Sequence, residues 1–146
     1  RTLIDLAGGV PDERSLRAVL LGGAAGTFVG PAALDLPLTF EDARAAGATL
    51  GSGAVMLFDD SIELMPILLR IARFFREESC GQCVPCRVGT VRQEEALHRI
   101  AAAETTSDVT LLRDIGRAMR DVSICGLGQT AANAIASAMA TLGDFK

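Results

Sequence analysis

The sequence predicts an α+β protein, with a small mixed unit over residues 1–60 followed by a four-helix bundle over 61–146. Three observations carry this. The first sixty residues are broken repeatedly by glycines and hold apolar runs only as long as strands. From Ser61 onward apolar residues recur at three- and four-residue spacing, which is helical. Hydrophobic residues make up 49% of the 146 residues, enough to bury a real core.

RTLIDLAGG (1–9) reads as a helix end stopped by glycine. SLRAVLLGG (15–23) reads as a strand leaving into a glycine-rich turn. Thr39 with Asp42 has the spacing of a capping box, opening a short helix over FEDARAAG (40–47). GAVMLFDD (53–60), apolar until its two closing acids, is a buried strand. Asp60 with Glu63 is expected to cap the helix 61–79, whose wide apolar side suggests burial on more than one face. Pro66 should kink that helix or mark its true start. Thr90 with Gln93 caps a second helix over 91–103. Ser107 or Asp108 opens a third over 109–122, with Leu112, Ile115, Met119 and Val122 on its apolar side. The fourth, 129–142, is alanine-rich, with Ile135, Ala138, Met139 and Leu142 aligned. Short connections make the bundle antiparallel.

Composition removes several functions. The net charge is −4, only one of the 14 basic residues is lysine, and there is no Trp or Tyr, so nucleic acid is not an expected partner. No apolar stretch is long enough to span a bilayer, and the charged start is not expected to be a signal peptide. A cytoplasmic location is expected. The glycines of LGGAAGTFVG (21–30) and LGSGAV (50–55) spell no dinucleotide-binding motif, and no nucleophile–histidine–acid set exists. His98 sits among Glu94, Glu95 and Arg99 and reads as a surface residue. Arg70, Arg73 and Arg76 read as a solvated face. The chain alone is not expected to catalyse a reaction.

The chemistry lies in CGQCVPC (80–86), which holds three of the four cysteines. Thiols at C-x2-C-x2-C converge only if the backbone curls tightly, which Gly81 permits and Pro85 stiffens. Cubane iron–sulfur clusters use this run, one thiolate to each iron. The only further thiol is Cys125. If Cys80–Cys86 joins the first two helices and Cys125 the last two, both segments fall at one end of an up-and-down bundle. Helix N-termini near Val91 and Thr130, together with Arg87, favour an anionic group there. Gly126 and Gly128 would let backbone N–H groups approach the sulfurs. A four-cysteine structural zinc site remains the alternative, although zinc usually takes two separate C-x2-C knuckles.

ESCGQCVPCRVGT (78–90) with SICGLGQTAANAI (123–135) resembles the C-terminal part of the NADH-binding flavoprotein subunit of respiratory complex I. The resemblance extends to the related subunits of NAD-linked hydrogenases and formate dehydrogenases. GGVPDERSLRAVLLGG, LDLPLTF and LGSGAVMLFDD are similar to that family's β-grasp domain of the soluble-ligand-binding type, so the likeness covers nearly the whole chain. It implies one [4Fe-4S] cluster held by Cys80, Cys83, Cys86 and Cys125, with Gly126 and Leu127 on the side facing a flavin. It also implies that hydride passes from NADH to FMN, and that single electrons pass through the cluster to iron–sulfur clusters in partner subunits. The FMN- and NADH-binding domain and the leading β-hairpin of the β-grasp unit are expected to precede Arg1. Val88 stands where complex I proteins tend to carry an acid, a slight lean toward the hydrogenase or formate dehydrogenase relatives.

Overall fold

The computed structural model describes residues 1–11, 14–103 and 108–142. It is an α+β arrangement in which a three-stranded sheet packs one face on a set of helices. The central strand β1 (Leu16–Leu21) pairs antiparallel with β2 (Thr27–Val29) and β3 (Val55–Asp59), giving the order β2-β1-β3. Leu20 lies opposite Phe28, and Ala18 opposite Phe58, with a bulge between Leu16 and Ala18. Alternation along the strands therefore sorts side chains onto two faces. Ala18, Leu20, Phe28 and Phe58 turn toward the helices, while Val19, Leu21, Val29 and Leu57 face a smaller cluster with Ala43 and Ala48. Burial on both faces explains why AVLL within β1 is an unbroken apolar run.

β2 has no counterpart in the sequence reading, which assigns its residues to no element. Gly26 makes the return possible, because a Cβ there would lie 1.8 Å from the Leu21 carbonyl oxygen. The first helix α1 (Thr2–Leu6) ends before Gly8 and Gly9, both at positive φ, and α2 (Phe40–Ala45) is capped by Thr39, whose hydroxyl oxygen accepts the Asp42 N–H.

The helical part starts with α3 (Leu64–Glu78). Pro66 is its third residue, where no intrahelical N–H bond is required, so it marks the start rather than a kink. Asp60 and Glu63 do not cap it; Glu63 is the N-cap residue without a side-chain bond, and the carboxylate that bonds locally is Asp59, which accepts the Ser61 N–H at 2.8 Å. Leu64, Leu68, Ile71, Ala72 and Phe75 form a single buried stripe, and Phe74 is left exposed, so α3 is buried on one side only. Each large side chain in that stripe contributes roughly 1.5–3 kcal/mol by leaving water.

The second long helix, α4 (Val84–Ala101), begins seven residues earlier than expected. Pro85 occupies its first turn, which proline tolerates, and the Cys83 carbonyl already accepts the Arg87 N–H. Thr90 and Gln93 are therefore interior and fully buried rather than capping. Thr90 donates its hydroxyl back to the Cys86 carbonyl at 2.9 Å, and Gln93 Nε2 donates to the Ala131 carbonyl at 3.1 Å. The third, α5 (Asp108–Val122), buries Leu112 and Met119, but Val122 points outward. Ser107 lies outside the described residues. The expected fourth helix is two pieces, α6 (Gly126–Thr130) and α7 (Asn133–Thr141), separated at Ala131 and Ala132.

The sheet and helices share one core. Phe28 and Phe58 stack at 5.6 Å within a cluster that also contains Leu68, Phe75, Leu97, Met119, Ile135 and Ala138. Ser137 on α7 accepts the Phe28 N–H at 2.8 Å, and Asn133 donates to the Ala25 carbonyl at 3.1 Å, tying the last helix to the sheet. Among the described residues no helix is long and apolar enough to cross a membrane.

Candidate metal centre

The four cysteines sit where helices begin or end. Ser79, extended at φ −66° and ψ 120°, terminates α3, and Cys80 follows it into solvent. Gly81 at φ +75° reverses the chain, a conformation that side-chain-bearing residues adopt only under strain. Cys83 is the N-cap residue of α4, Cys86 lies buried in its first turn, and Cys125 is the exposed N-cap residue of α6. All four are free thiols. The helix N-termini thus coincide with the cysteines themselves, rather than lying some residues downstream as the sequence suggested.

The two cysteine segments meet. The Cys83 sulfur accepts the backbone N–H of Ile124, from the loop that carries Cys125, and also the N–H of Cys86. These bonds, Ile124 first, hold the Cys83 thiol below its ordinary pKa against the opposing effect of desolvation. A thiolate is the metal-binding form of cysteine, so this environment suits a ligand. Ser123 and Cys86 are brought together across Gly128: a Cβ at 128 would lie 2.4 Å from Ser123 Oγ and 2.9 Å from Cys86 Cβ. Gln129 Nε2 donates to the Ser123 carbonyl at 3.0 Å and fixes this loop.

Hydroxyls complete the surroundings. Ser79 Oγ lies 3.3 Å from Cys86 Sγ and accepts the Gly81 N–H at 3.4 Å. Ser123 Oγ is buried without a partner of good hydrogen-bond geometry, yet stands close enough to the Cys83 sulfur to favour its thiolate. Sequence reasoning misses both serines; the signal available is position alone, Ser79 just before the first cysteine and Ser123 two before the last. The Arg87 side chain folds over Gly81, whose added Cβ would meet its Cδ at 3.6 Å, so one positive charge does flank the cysteine run.

Gly128 serves packing. Space around Gly126 is open, and the space beside Gly128 is filled by the Ser123 and Cys86 side chains rather than left for backbone donors. The backbone N–H groups that favour the Cys83 thiolate include those of Ile124 and Cys86. Leu127 is half-buried against the main core. His98 is exposed, as expected of a surface residue, while Arg73 pairs with Glu77 at 2.8 Å and Arg76 with Glu94 at 3.0 Å.

Among the described residues no three His, Cys, Asp or Glu side chains close around a point that could hold a single metal ion. The thiols instead line one end of the bundle, on two segments joined through Cys83 and Ile124. Four cysteines, N–H groups that lower the Cys83 pKa and the N-terminus of the long helix α4 fit an anionic iron–sulfur group.

Comparison with known proteins agrees. Residues 66–144, over half of the chain, match the family described as the NADH-ubiquinone oxidoreductase-F iron-sulfur binding region. The chain is 33% identical over 143 residues to the NADP-reducing hydrogenase subunit HndC of Solidesulfovibrio fructosivorans, covering 97% of this chain and 29% of that protein. It is 34% identical over 140 residues to an NADH-quinone oxidoreductase subunit of Mycobacterium tuberculosis, covering 95% of this chain and 32% of that one. A crystal structure of an NAD+-reducing [NiFe]-hydrogenase in its H2-reduced state superposes with a TM-score of 0.82 at 35% identity, over 97% of this chain and 24% of the hydrogenase chain. This chain therefore spans about a third or less of the proteins it matches. With its paired cysteine segments at one end of a helical bundle, the chain belongs to the NADH-ubiquinone oxidoreductase-F iron–sulfur binding family.

Proposed function

We propose that this chain is the electron-relay portion of a NAD(H)-linked flavoprotein subunit, with Cys80, Cys83, Cys86 and Cys125 as ligands of one [4Fe-4S] cluster. When bound, the cluster supplies one-electron transfer between a flavin and further iron–sulfur centres. The chain's own residues hold it. The Ile124 and Cys86 N–H groups lower the Cys83 pKa and so favour its thiolate, Gly81 turns the first loop back, and the α4 N-terminus and Arg87 offset negative charge. The observation that carries this reading is the meeting of the two cysteine segments, some forty residues apart in the chain, where position 128 lies against both Ser123 and Cys86.

Residues 1–60 serve as a β-grasp scaffold and 61–146 as the cluster-binding domain. FMN and NAD(H) are bound by a further domain of the same subunit, on the side of Gly126 and Leu127, and iron–sulfur subunits of a cytoplasmic multisubunit oxidoreductase exchange electrons with the cluster. Val84, Val122 and Ile124 are exposed beside the cysteines, and an apolar rim of this kind suits contact with other polypeptide.

Anaerobically prepared chain should contain about four irons and four acid-labile sulfides, with an EPR signal on reduction. Zinc without sulfide, even after attempted reconstitution, would favour a structural module instead. Cys125→Ser should lose the cluster or keep only a labile three-iron form. A stable four-iron cluster in that variant would remove Cys125 from the ligand set.

A further inference from the structure

We propose that the Ser79 and Ser123 hydroxyls donate hydrogen bonds to the sulfurs of Cys86 and Cys83 and thereby raise the reduction potential of the bound cluster. The inference rests on the four-iron reading and assigns to it two residues outside the cysteine motif.

The argument for Ser79 is one of proton counting. A serine hydroxyl has one proton and two lone pairs. Ser79 Oγ already accepts the Gly81 N–H, so its proton is free for its other neighbour, Cys86 Sγ at 3.3 Å. A metal-bound cysteine carries no proton, and the hydroxyl must then be the donor. The position is held on both sides: Ser79 ends α3, Cys86 sits in the first turn of α4, and Gly81 closes the loop between them.

Ser123 carries the same logic from the other segment. Its residue exposure is 6%, and its Oγ has no partner of good geometry. A buried hydroxyl left unpaired is unusual in a folded protein, and calls for an acceptor close by. Gly128 leaves the room that holds this hydroxyl against the Cys86 side chain, and the Gln129 side chain fixes the backbone from behind. Ser123 is among the groups beside the Cys83 sulfur, and that sulfur is the acceptor assigned to its hydroxyl.

A donor to a cluster sulfur stabilises the state with more negative charge, which is the reduced one, so its loss lowers the potential. The test is an EPR-monitored redox titration of the anaerobically loaded chain as wild type, Ser79→Ala, Ser79→Thr and Ser123→Ala. Each alanine variant is expected to shift the one-electron equilibrium toward the oxidised cluster by about threefold to tenfold, up to about 59 mV. Ser79→Thr keeps a hydroxyl and should stay near wild type. A Ser79→Ala potential equal to wild type, with full iron and sulfide, overturns the inference while leaving the cluster reading intact. Should Ser123→Ala fail to load, the Ser79 pair alone decides, since alanine and threonine differ there in the hydroxyl. Absence of iron and sulfide from the wild type would overturn the cluster reading and this inference with it.

Discussion

Gly128→Ala should damage the metal centre from a position that binds nothing. A methyl group at 128 would stand 2.4 Å from Ser123 Oγ, 2.6 Å from Ser123 Cβ and 2.9 Å from Cys86 Cβ. Ser123 Oγ could rotate away, but the two Cβ atoms move only with the backbone that carries them. Ser123 is held through its carbonyl by Gln129, and Cys86 is fixed in the first turn of α4. Forcing one carbon into such packing costs about 1–3 kcal/mol. For a chain of this size each kcal/mol moves the melting temperature by about 2–4 °C, so a fall of roughly 2–12 °C is expected. Cluster content should fall too, because relief of the clash requires Cys86 or the Ser123 loop to move. The control is Gly126→Ala, two residues away in the same short helix. Nothing lies within 4 Å of its added carbon and its φ is not positive. That substitution should be neutral or stabilise by about 0.4–1 kcal/mol through the unfolded chain. Thermal unfolding under argon, with iron assayed in parallel, separates the two. Equal melting temperatures and equal iron in Gly128→Ala and wild type would refute the packing argument.

Two further predictions concern the fold around the site. Ser137→Ala removes the oxygen that accepts the Phe28 N–H at 2.8 Å, and leaving that half-buried donor unpaired should cost about 1–3 kcal/mol in urea unfolding. Because sheet and helices share one core, the loss should appear in a single transition rather than as early melting of the sheet. Asp108 gives a pH signature: bidentate bonding to Arg99, at 2.8 and 2.9 Å, holds its carboxyl below the ordinary aspartate value of about 3.9. Its contribution is therefore present above about pH 4 and is lost as pH falls through the lowered folded pKa. Asp108→Asn should be less stable than wild type at neutral pH, and the gap should narrow on acidification below about pH 4; a constant gap would show that the ion pair is not its source.

Much of this architecture was legible in the sequence because the signals are local and periodic. The spacing of Leu64, Leu68, Ile71 and Phe75 marks a helix face by itself, and the run AVLL needs a strand with both sides covered. Three cysteines in seven residues announce a metal centre before any fold is known, and short connections place Cys125 at the same end. Other features depended on partners distant in the chain. The sequence reading begins the second helix at Val91, yet α4 runs through Pro85 and Gly89, since proline is harmless in a first turn and Gly89 meets the Met119 side chain where a Cβ would collide with it. Val122 continues the apolar period of α5 and is nevertheless exposed, because that end of the helix runs out beside the cysteine loop.

The sequence by itself supplied four cysteines, their three-plus-one division along the chain, and a helical frame that can gather them. Only the tertiary structure decided what surrounds each sulfur. Which N–H reaches Cys83, which hydroxyl lies against Cys86, and why position 128 has no room for a side chain depend on where the ends of α3, α4, α5 and α6 meet. A hydrogen bond is set by distances of a few tenths of an ångström, and those follow from how the shared core seats the helices rather than from residue spacing along any one of them.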